Sequence, residues 1–186
     1  MPVTVADRVF EHRRIWQLTQ QAFLDAVDRV ADYERAHRPD VVIGIARGGT
    51  LLAEYLARRL AVPAVIVHAR HNTSDATRQP ATGLVRLTST SDALAGITPG
   101  SRLLLVDDIC GSGATLHAVE RWLTDNLRPG TVRTAVLCRN QGADFTPDTW
   151  GWDVADWVRF FWEPSADEPV EPLPLLTGLH HRTPTA

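Results

Sequence analysis

The chain has 186 residues, of which 44% are hydrophobic and 22% are charged, and its 19 basic and 22 acidic side chains give a formal net charge of −3. This composition is typical of one folded domain with a real core, and it excludes a disordered chain or a protein that coats nucleic acid. All 19 basic residues are arginine. Without lysine the chain cannot form a Schiff base through a lysine amine, and it cannot build a Walker-type phosphate loop.

The small number of cysteines and the hydropathy of the chain indicate the cellular compartment in which the protein works. Cys110 and Cys138 are too few for a disulfide framework or a zinc cluster. The sequence shows no signal-peptide pattern and no apolar run of membrane-spanning length. We therefore expect a cytoplasmic protein that binds neither a membrane nor nucleic acid.

Hydrophobic periodicity predicts alternating helices and strands, which favours an α/β fold with a central, mainly parallel sheet flanked by helices. The short β-branched runs carry apolar side chains on both faces, as buried parallel strands do. The predicted helices are Glu11 to His37, Leu51 to Leu60 and a helix that ends near Asn126; the predicted strands are Asp40 to Ala46, Ala64 to His68, Val85 to Leu87, Arg102 to Val106, Thr131 to Cys138 and Trp157 to Phe161.

Two segments stand apart from this alternation. Ala69 to Gly83 is polar throughout and long for a loop, which is typical of a lid or a binding loop. The segment 164–186 is rich in proline and acids, and we expect an extended or disordered tail there. The remainder, 1–163, is then a single domain, with a small hood over the C-terminal edge of the sheet at about 140–163.

The most informative stretch follows a predicted buried strand and reads VDDICGSGAT, from Val106 to Thr115. Ligands of open α/β sheets bind beyond the carboxyl ends of the strands, and the loop before a helix presents free N–H groups to an anion. Residues 111–115, here called the phosphate loop, add two glycines and two hydroxyls to such an anion site. Asp107 and Asp108, the acid pair, would repel a phosphate and must face sugar hydroxyls or a cation such as Mg²⁺.

This array resembles the phosphoribosyl pyrophosphate (PRPP) signature of type I phosphoribosyltransferases, particularly the compact microbial xanthine, guanine and hypoxanthine enzymes. The resemblance implies that the acid pair is catalytic and holds the ribose hydroxyls and Mg²⁺. It also implies that the 5′-phosphate is bound by Gly111, Ser112, Gly113, Ala114 and Thr115.

A second match is IGIARGG, residues 43–49, which resembles the pyrophosphate loop of the same family. In that loop an often cis peptide exposes amide groups to pyrophosphate, and a catalytic arginine, here Arg47, adds charge beside Gly48. The polar segment falls where the family keeps its catalytic lid. Its candidate pyrophosphate donors are Arg70, His71 and Arg78, which could equally be solvated loop residues.

The third match is the aromatic segment 147–163, which resembles the base-binding end of the purine enzymes. Carried over by position, Trp157 stacks on the base, the backbone of Val158 reads its edge, and Glu163 joins the metal shell. Such an aromatic cluster could also be core or a subunit interface.

Two departures from the family pattern put the identity of the base in doubt. Gly111 stands where the 6-oxopurine enzymes place an acid that removes the purine proton. Arg139 stands where they place a lysine that donates to the 6-oxo group, and its planar fork would reshape the pocket.

The expected reaction is Mg²⁺-dependent transfer of the 5-phosphoribosyl group from PRPP to a nucleobase, with a 6-oxopurine as the leading acceptor. The alternatives are a non-standard heterocycle as acceptor, a regulatory protein that senses PRPP, and a variant that hydrolyses nucleotides. The resemblance further implies a homodimer or homotetramer.

Overall fold

The protein was analysed as a computed structural model that describes residues 8–70, 86–88, 94–164 and 167–183. Helices and strands alternate through the middle of the chain, and shorter strands lie at its two ends. The elements are β1 (Ile15–Leu18), α1 (Gln20–Arg35), β2 (Val41–Ala46), α2 (Gly49–Leu60), β3 (Ala64–Arg70), β4 (Arg86–Thr88), β5 (Arg102–Cys110), α3 (Ala114–Leu127), β6 (Thr131–Asn140), β7 (Thr149–Val154), β8 (Trp157–Phe160), β9 (Glu171–Pro172) and β10 (His180–His181).

A seven-stranded sheet in the order β10-β7-β6-β5-β2-β3-β4 forms the centre of the fold. Its five inner strands are parallel, and the short strands β10 and β4 close the two edges in antiparallel pairing. The predicted mainly parallel α/β sheet is confirmed. All four carboxyl ends of β2, β3, β5 and β6 therefore lie at one edge, where ligands of such sheets bind.

Apolar clusters fill both faces of this sheet, because strands such as β2 are buried on both sides. One cluster contains Phe23 of α1 and Leu52 and Leu56 of α2. The other contains Leu116 and Leu123 of α3. The sheet thus lies between two helical layers, with α1 and α2 packed on one face and α3 on the other.

The first predicted helix differs from the structure at its beginning. Residues 15–18 form β1, and α1 begins only after Thr19, whose Oγ1 accepts a hydrogen bond from the N–H of Ala22 at 3.2 Å. Thr19 is a good N-cap because its side chain satisfies an N–H group that has no helical acceptor. The apolar residues Ile15 and Leu18 belong to a strand, although their spacing also fits a helix.

A second sheet of three strands, here called the hood sheet, lies beside the first in the order β8-β1-β9. Its strands are parallel, and β1 contributes the central one. Residues 149–154, which the sequence analysis places within the hood, instead form β7 of the central sheet.

The proline-rich tail is extended across the domain where the structure describes it. The N–H of Leu173 donates to Gln17 at 3.0 Å, and the indole N–H of Trp152 donates to the carbonyl of Pro174 at 2.9 Å. Arg182 reaches Asp148 at 2.6 Å. Of the two expected states for this segment, residues 167–183 take the extended one.

Within the described ranges, no helix has both the length and the apolar character that crossing a bilayer requires.

Candidate active site

The acid pair lies at the carboxyl end of β5, which continues four residues beyond the predicted end of this strand. The pairing with β6 runs as far as Cys110 and Arg139. Both carboxyl groups are half-buried, and the N–H of Asp108 donates to Oδ1 of Asp107 at 3.0 Å. The acid pair is therefore held on the sheet itself and not on a free loop.

Burial, together with nearby negative charge, makes both acids easier to protonate than free carboxyl groups. Burial first, and then the charge of Asp108, raise the pKa of Asp107 well above its usual range. Burial also raises the pKa of Asp108 to about 6, and the charge of Glu163 contributes to that rise. A cation between these groups would stabilise their charged forms, because an opposite charge counteracts both effects.

The loop after β2 lies directly against the acid pair, because β2 and β5 are neighbouring parallel strands. The peptide between Ala46 and Arg47 is cis, the conformation that the resemblance implies for this loop. A Cβ at Gly48 would collide with the carboxylate of Asp108, and one at Gly49 would lie 2.6 Å from the carbonyl oxygen of Val106. Glycine at both positions thus permits the close approach.

The phosphate loop ends β5 and opens α3. Gly113 has φ of 91°, in the left-handed region that favours glycine, and a Cβ there would collide with Phe145. Ser112 is buried, and its Oγ accepts a hydrogen bond from the N–H of Ala114 at 3.4 Å. The N-cap residue Gly113 has no side chain to cap α3, so apart from the N–H of Ala114 the first-turn N–H groups and the positive end of the helix dipole are left for an anion at the loop.

These three parts line one cavity of about 220 Å³. Its walls come from the end of β2, the acid pair, and the phosphate loop with the first turn of α3. Its lining residues include Ala46, Gly48, Asp107, Asp108, Gly111, Ser112, Gly113 and Thr115, and also Arg8.

Arg8 is the site residue that the sequence analysis missed. It precedes the first predicted element and has no motif around it, yet its guanidinium lies against Gly111, 2.5 Å from the place where a Cβ would stand. The only signal was the glycine itself, at a position where the resemblance implies a larger side chain.

Two of the three residues that the resemblance assigns to the base-binding end, Trp157 and Val158, lie on β8 of the hood sheet. The ring of Trp157 stacks with Phe10, with 6.2 Å between ring centroids and 29° between planes. Val158 beside it is buried. Glu163 accepts a hydrogen bond from the N–H of Phe160 at 2.8 Å, and its effect on the pKa of Asp108 places it within electrostatic reach of the acid pair.

Arg139 is engaged elsewhere. Its guanidinium donates to the carbonyl oxygens of Ala143 at 3.1 Å and Phe145 at 3.4 Å, and it contacts Asp153 at 3.4 Å. It also lies over the ring of Trp150, 5.5 Å from the centroid. Its role at the base stays a prediction, and it would require the side chain to leave these contacts.

The predicted pyrophosphate donors lie in or beside the polar segment. His71 and Arg78 are outside the described residues, and only the backbone of Arg70, at the end of β3, is within them. Arg47 is exposed, and it lies in the chain between Ala46 and Gly48, which line the cavity. Their binding roles stay predictions.

Among the described residues, no group of three or more His, Cys, Asp or Glu side chains is arranged to hold a metal by protein ligands alone. The acid pair nevertheless fits Mg²⁺, which is bound through one or two carboxylates together with substrate oxygens and water. Its two carboxylates are only half-buried, so substrate oxygens and water could complete the coordination, and the bound cation would favour their charged forms.

The fold and the cavity define an α/β protein with a polar cavity at the carboxyl edge of its sheet. Residues 16–169 match the phosphoribosyl transferase domain, and the chain belongs to that family. Its structural neighbours include purine phosphoribosyltransferases.

Individual relatives are distant. Adenine phosphoribosyltransferase of Acidiphilium cryptum is 30% identical over 114 residues, which are 59% of this chain and 61% of that protein. The chain thus matches about three fifths of the length of this curated relative. A purine phosphoribosyltransferase structure from Pyrococcus horikoshii superposes with a TM-score of 0.71 at 24% identity, covering 85% of this chain and 99% of that one. The xanthine-guanine-hypoxanthine enzyme of Helicobacter pylori gives 0.65 at 25%, covering 80% and 94%.

Proposed function

We propose that the protein transfers the 5-phosphoribosyl group of PRPP to a ring nitrogen of a purine and releases pyrophosphate. The observation that carries the proposal is the shared cavity, in which the acid pair faces the loop of Gly48 and the phosphate loop from the ends of two adjacent strands. Each part matches one portion of PRPP: a pyrophosphate, a ribose diol and a 5′-phosphate.

The phosphate loop would bind the 5′-phosphate. The first turn of α3 contributes N–H groups and the positive end of its dipole, and Ser112 and Thr115 contribute hydroxyls. Because this end of the ligand does not react, its binding energy serves to position the anomeric carbon.

The acid pair would orient the ribose hydroxyls and hold Mg²⁺. When bound there, Mg²⁺ neutralises the charge that develops on the departing pyrophosphate. The amide groups around Gly48 and the side chain of Arg47 would act on the same leaving group. Electrostatic positioning of this kind suits a transition state with positive charge at the anomeric carbon.

The acceptor would lie between the hood sheet and the acid pair, with Trp157 and Val158 as its contacts and Glu163 completing the metal shell. A 6-oxopurine is the leading acceptor, in keeping with the likeness to the Helicobacter pylori enzyme. Adenine is the second candidate, because the curated relatives are adenine phosphoribosyltransferases. With no acid at Gly111, the purine proton would leave to water or to the substrate's own phosphates.

The test is Mg²⁺-dependent release of pyrophosphate from PRPP with xanthine, guanine, hypoxanthine, adenine, uracil and orotate. We expect turnover with a purine, and its loss in Asp107→Asn and Asp108→Asn with the fold retained by circular dichroism. Binding of PRPP without turnover of any base would instead favour a sensor or an unusual heterocycle. Release of free base from a nucleotide without pyrophosphate would identify a hydrolase.

The homodimer or homotetramer that the family resemblance implies stays a prediction, and light scattering coupled to gel filtration would measure it directly.

A further inference from the structure

The guanidinium of Arg8 fills the space that Gly111, which has no side chain, leaves open. The three atoms nearest to a Cβ built on Gly111 all belong to the guanidinium of Arg8: Nε at 2.5 Å, Cζ at 2.7 Å and Nη2 at 2.7 Å. The guanidinium therefore lies where the side chain of residue 111 would be, at the wall of the cavity that both residues line.

The chain holds Arg8 there through its neighbours. Residues 8–13, here called the N-terminal strap, run along the end of β6 and the hood sheet. The N–H of Val9 donates to Oδ1 of Asn140 and the amide of Asn140 donates back to the carbonyl of Val9, both at 2.9 Å. The N–H of Glu11 donates to Ala155 at 2.7 Å, and Phe10 stacks with Trp157. Asn140 is buried, so this reciprocal pair of hydrogen bonds is protected from water.

The charge of Arg8 is available to a ligand. None of the ion pairs within the described part of the chain includes it. The first-turn N–H groups of α3 already favour an anion at this loop. The guanidinium of Arg8 adds charged hydrogen-bond donors for the same anion.

We propose that Arg8 is a further phosphate-binding residue, which the N-terminal strap delivers to the phosphate loop, and that Gly111 is glycine because this arginine needs its space. The inference rests on the proposed function, since it assigns Arg8 to the 5′-phosphate of the same substrate. It places a cation from the chain's beginning in a site otherwise made from the chain's middle.

A double-mutant cycle tests the pairing. Arg8→Ala removes the guanidinium. Gly111→Ala displaces it while leaving the backbone free, because Gly111 has no positive φ and the three nearest atoms are the end of a flexible side chain. Arg13→Ala is the matched control, since Arg13 belongs to the same strap but does not line the cavity and, among the described residues, forms its ion pair with Glu11 at 3.3 Å.

The probes are ribose 5-phosphate, ribose and PRPP with Mg²⁺, measured by calorimetry on the full chain. We expect Arg8→Ala to weaken ribose 5-phosphate binding about tenfold, as loss of a charge-assisted contact does. Gly111→Ala should weaken it by a similar factor, the double variant should bind no more weakly than either single variant, and Arg13→Ala should bind like the wild type. Urea unfolding of each variant shows whether weaker binding of ribose 5-phosphate comes with a loss of stability.

Three results would overturn the proposal. They are wild-type affinity in Arg8→Ala, additive losses in the double variant, and a raised KM for the base with unchanged affinity for ribose 5-phosphate, which would place Arg8 at the acceptor. If the wild type binds ribose 5-phosphate but releases no pyrophosphate from PRPP with any base, the proposed function fails while the phosphate role of Arg8 stands. If the wild type binds neither PRPP nor ribose 5-phosphate, both fail.

Discussion

The carboxylate of Glu34 in α1 accepts two hydrogen bonds from the guanidinium of Arg133 in β6, at 2.7 and 3.0 Å, and a third from the hydroxyl of Thr149 at 2.7 Å. Glu34 is fully buried, whereas the side chain of Arg133 keeps 23% of its exposure. A helix on one face of the sheet is thereby joined to two of its strands through one acidic group.

Removal of the Glu34 carboxylate should lower the stability of the fold. We expect Glu34→Ala to lower the free energy of unfolding by about 3 kcal/mol, because it leaves Arg133 and a buried hydroxyl without their acceptor. The control is Asp32→Ala on the same helix, whose pair with Arg35 is exposed at both ends and should be worth less than about 1 kcal/mol. Urea unfolding compares the two, and equal losses would show that burial of Glu34 is unimportant.

Gly49 should tolerate no side chain. A Cβ there would stand 2.6 Å from the carbonyl of Val106, a backbone atom that cannot move aside, whereas a Cβ at Gly96 would meet nothing within 4 Å. We expect Gly49→Ala to lower stability by about 1–3 kcal/mol and to reduce pyrophosphate release, because the loop is pushed from the acid pair. Gly96→Ala, the control, should leave both unchanged. Full activity of Gly49→Ala would contradict the close approach of β2 and β5.

The pair between Asp40 and Arg102 should make stability depend on acid pH. Hydrogen bonds from the side chain and backbone of Arg102 lower the pKa of Asp40 to about 2. A carboxyl whose pKa is lower in the folded state stabilises the protein above its unfolded pKa, and that contribution is lost as pH falls through the folded value.

The stability difference between the wild type and Asp40→Asn should therefore be constant above about pH 4 and shrink as the pH falls toward about 2. Urea unfolding across that range measures it, with the exposed Asp32→Asn as a reference for general acid effects. A difference that does not vary with pH would mean that Asp40 is not ionised against Arg102.

Arg182 should hold the tail on the domain. Its guanidinium donates to Asp148, which is almost buried and also accepts from Thr134. We expect Arg182→Ala to speed amide hydrogen exchange over residues 173–181 at least several-fold, since that backbone is fixed mainly by tertiary contacts. The control is Arg121→Ala, whose partner Asp125 is exposed. Unchanged exchange would mean that the contacts of Trp152 hold the tail alone.

The core elements were predictable because their signals are local. Buried runs such as 41–46 and the spacing of apolar residues in α2 identify strands and helices from neighbours alone. The acid pair and the phosphate loop were predictable for the same reason, since strand, acids, glycines and helix start are contiguous.

The structural features that the sequence did not predict depend on contacts between residues that are far apart in the chain. Ile15 to Leu18 fit a helix by spacing, and they form a strand only because β8 and β9 lie on either side. The tail has no pattern of its own and is ordered by contacts with Gln17, Trp152 and Asp148. Arg8 reaches the site through long-range contacts of its neighbours, such as the pairing of Val9 with Asn140, 131 residues away.

The hood sheet has a consequence for biosynthesis. Its central strand emerges from the ribosome before both of its neighbours, because Gln17 pairs with Arg159 142 residues later, and Pro172 follows later still. A nascent chain can complete the central strands β2, β3, β5 and β6 while β1 still waits for its neighbours. Since distant contacts form slowly, the wall beside the acceptor should be the last part of the pocket to assemble, and chains cut short before residue 157 should fold without it.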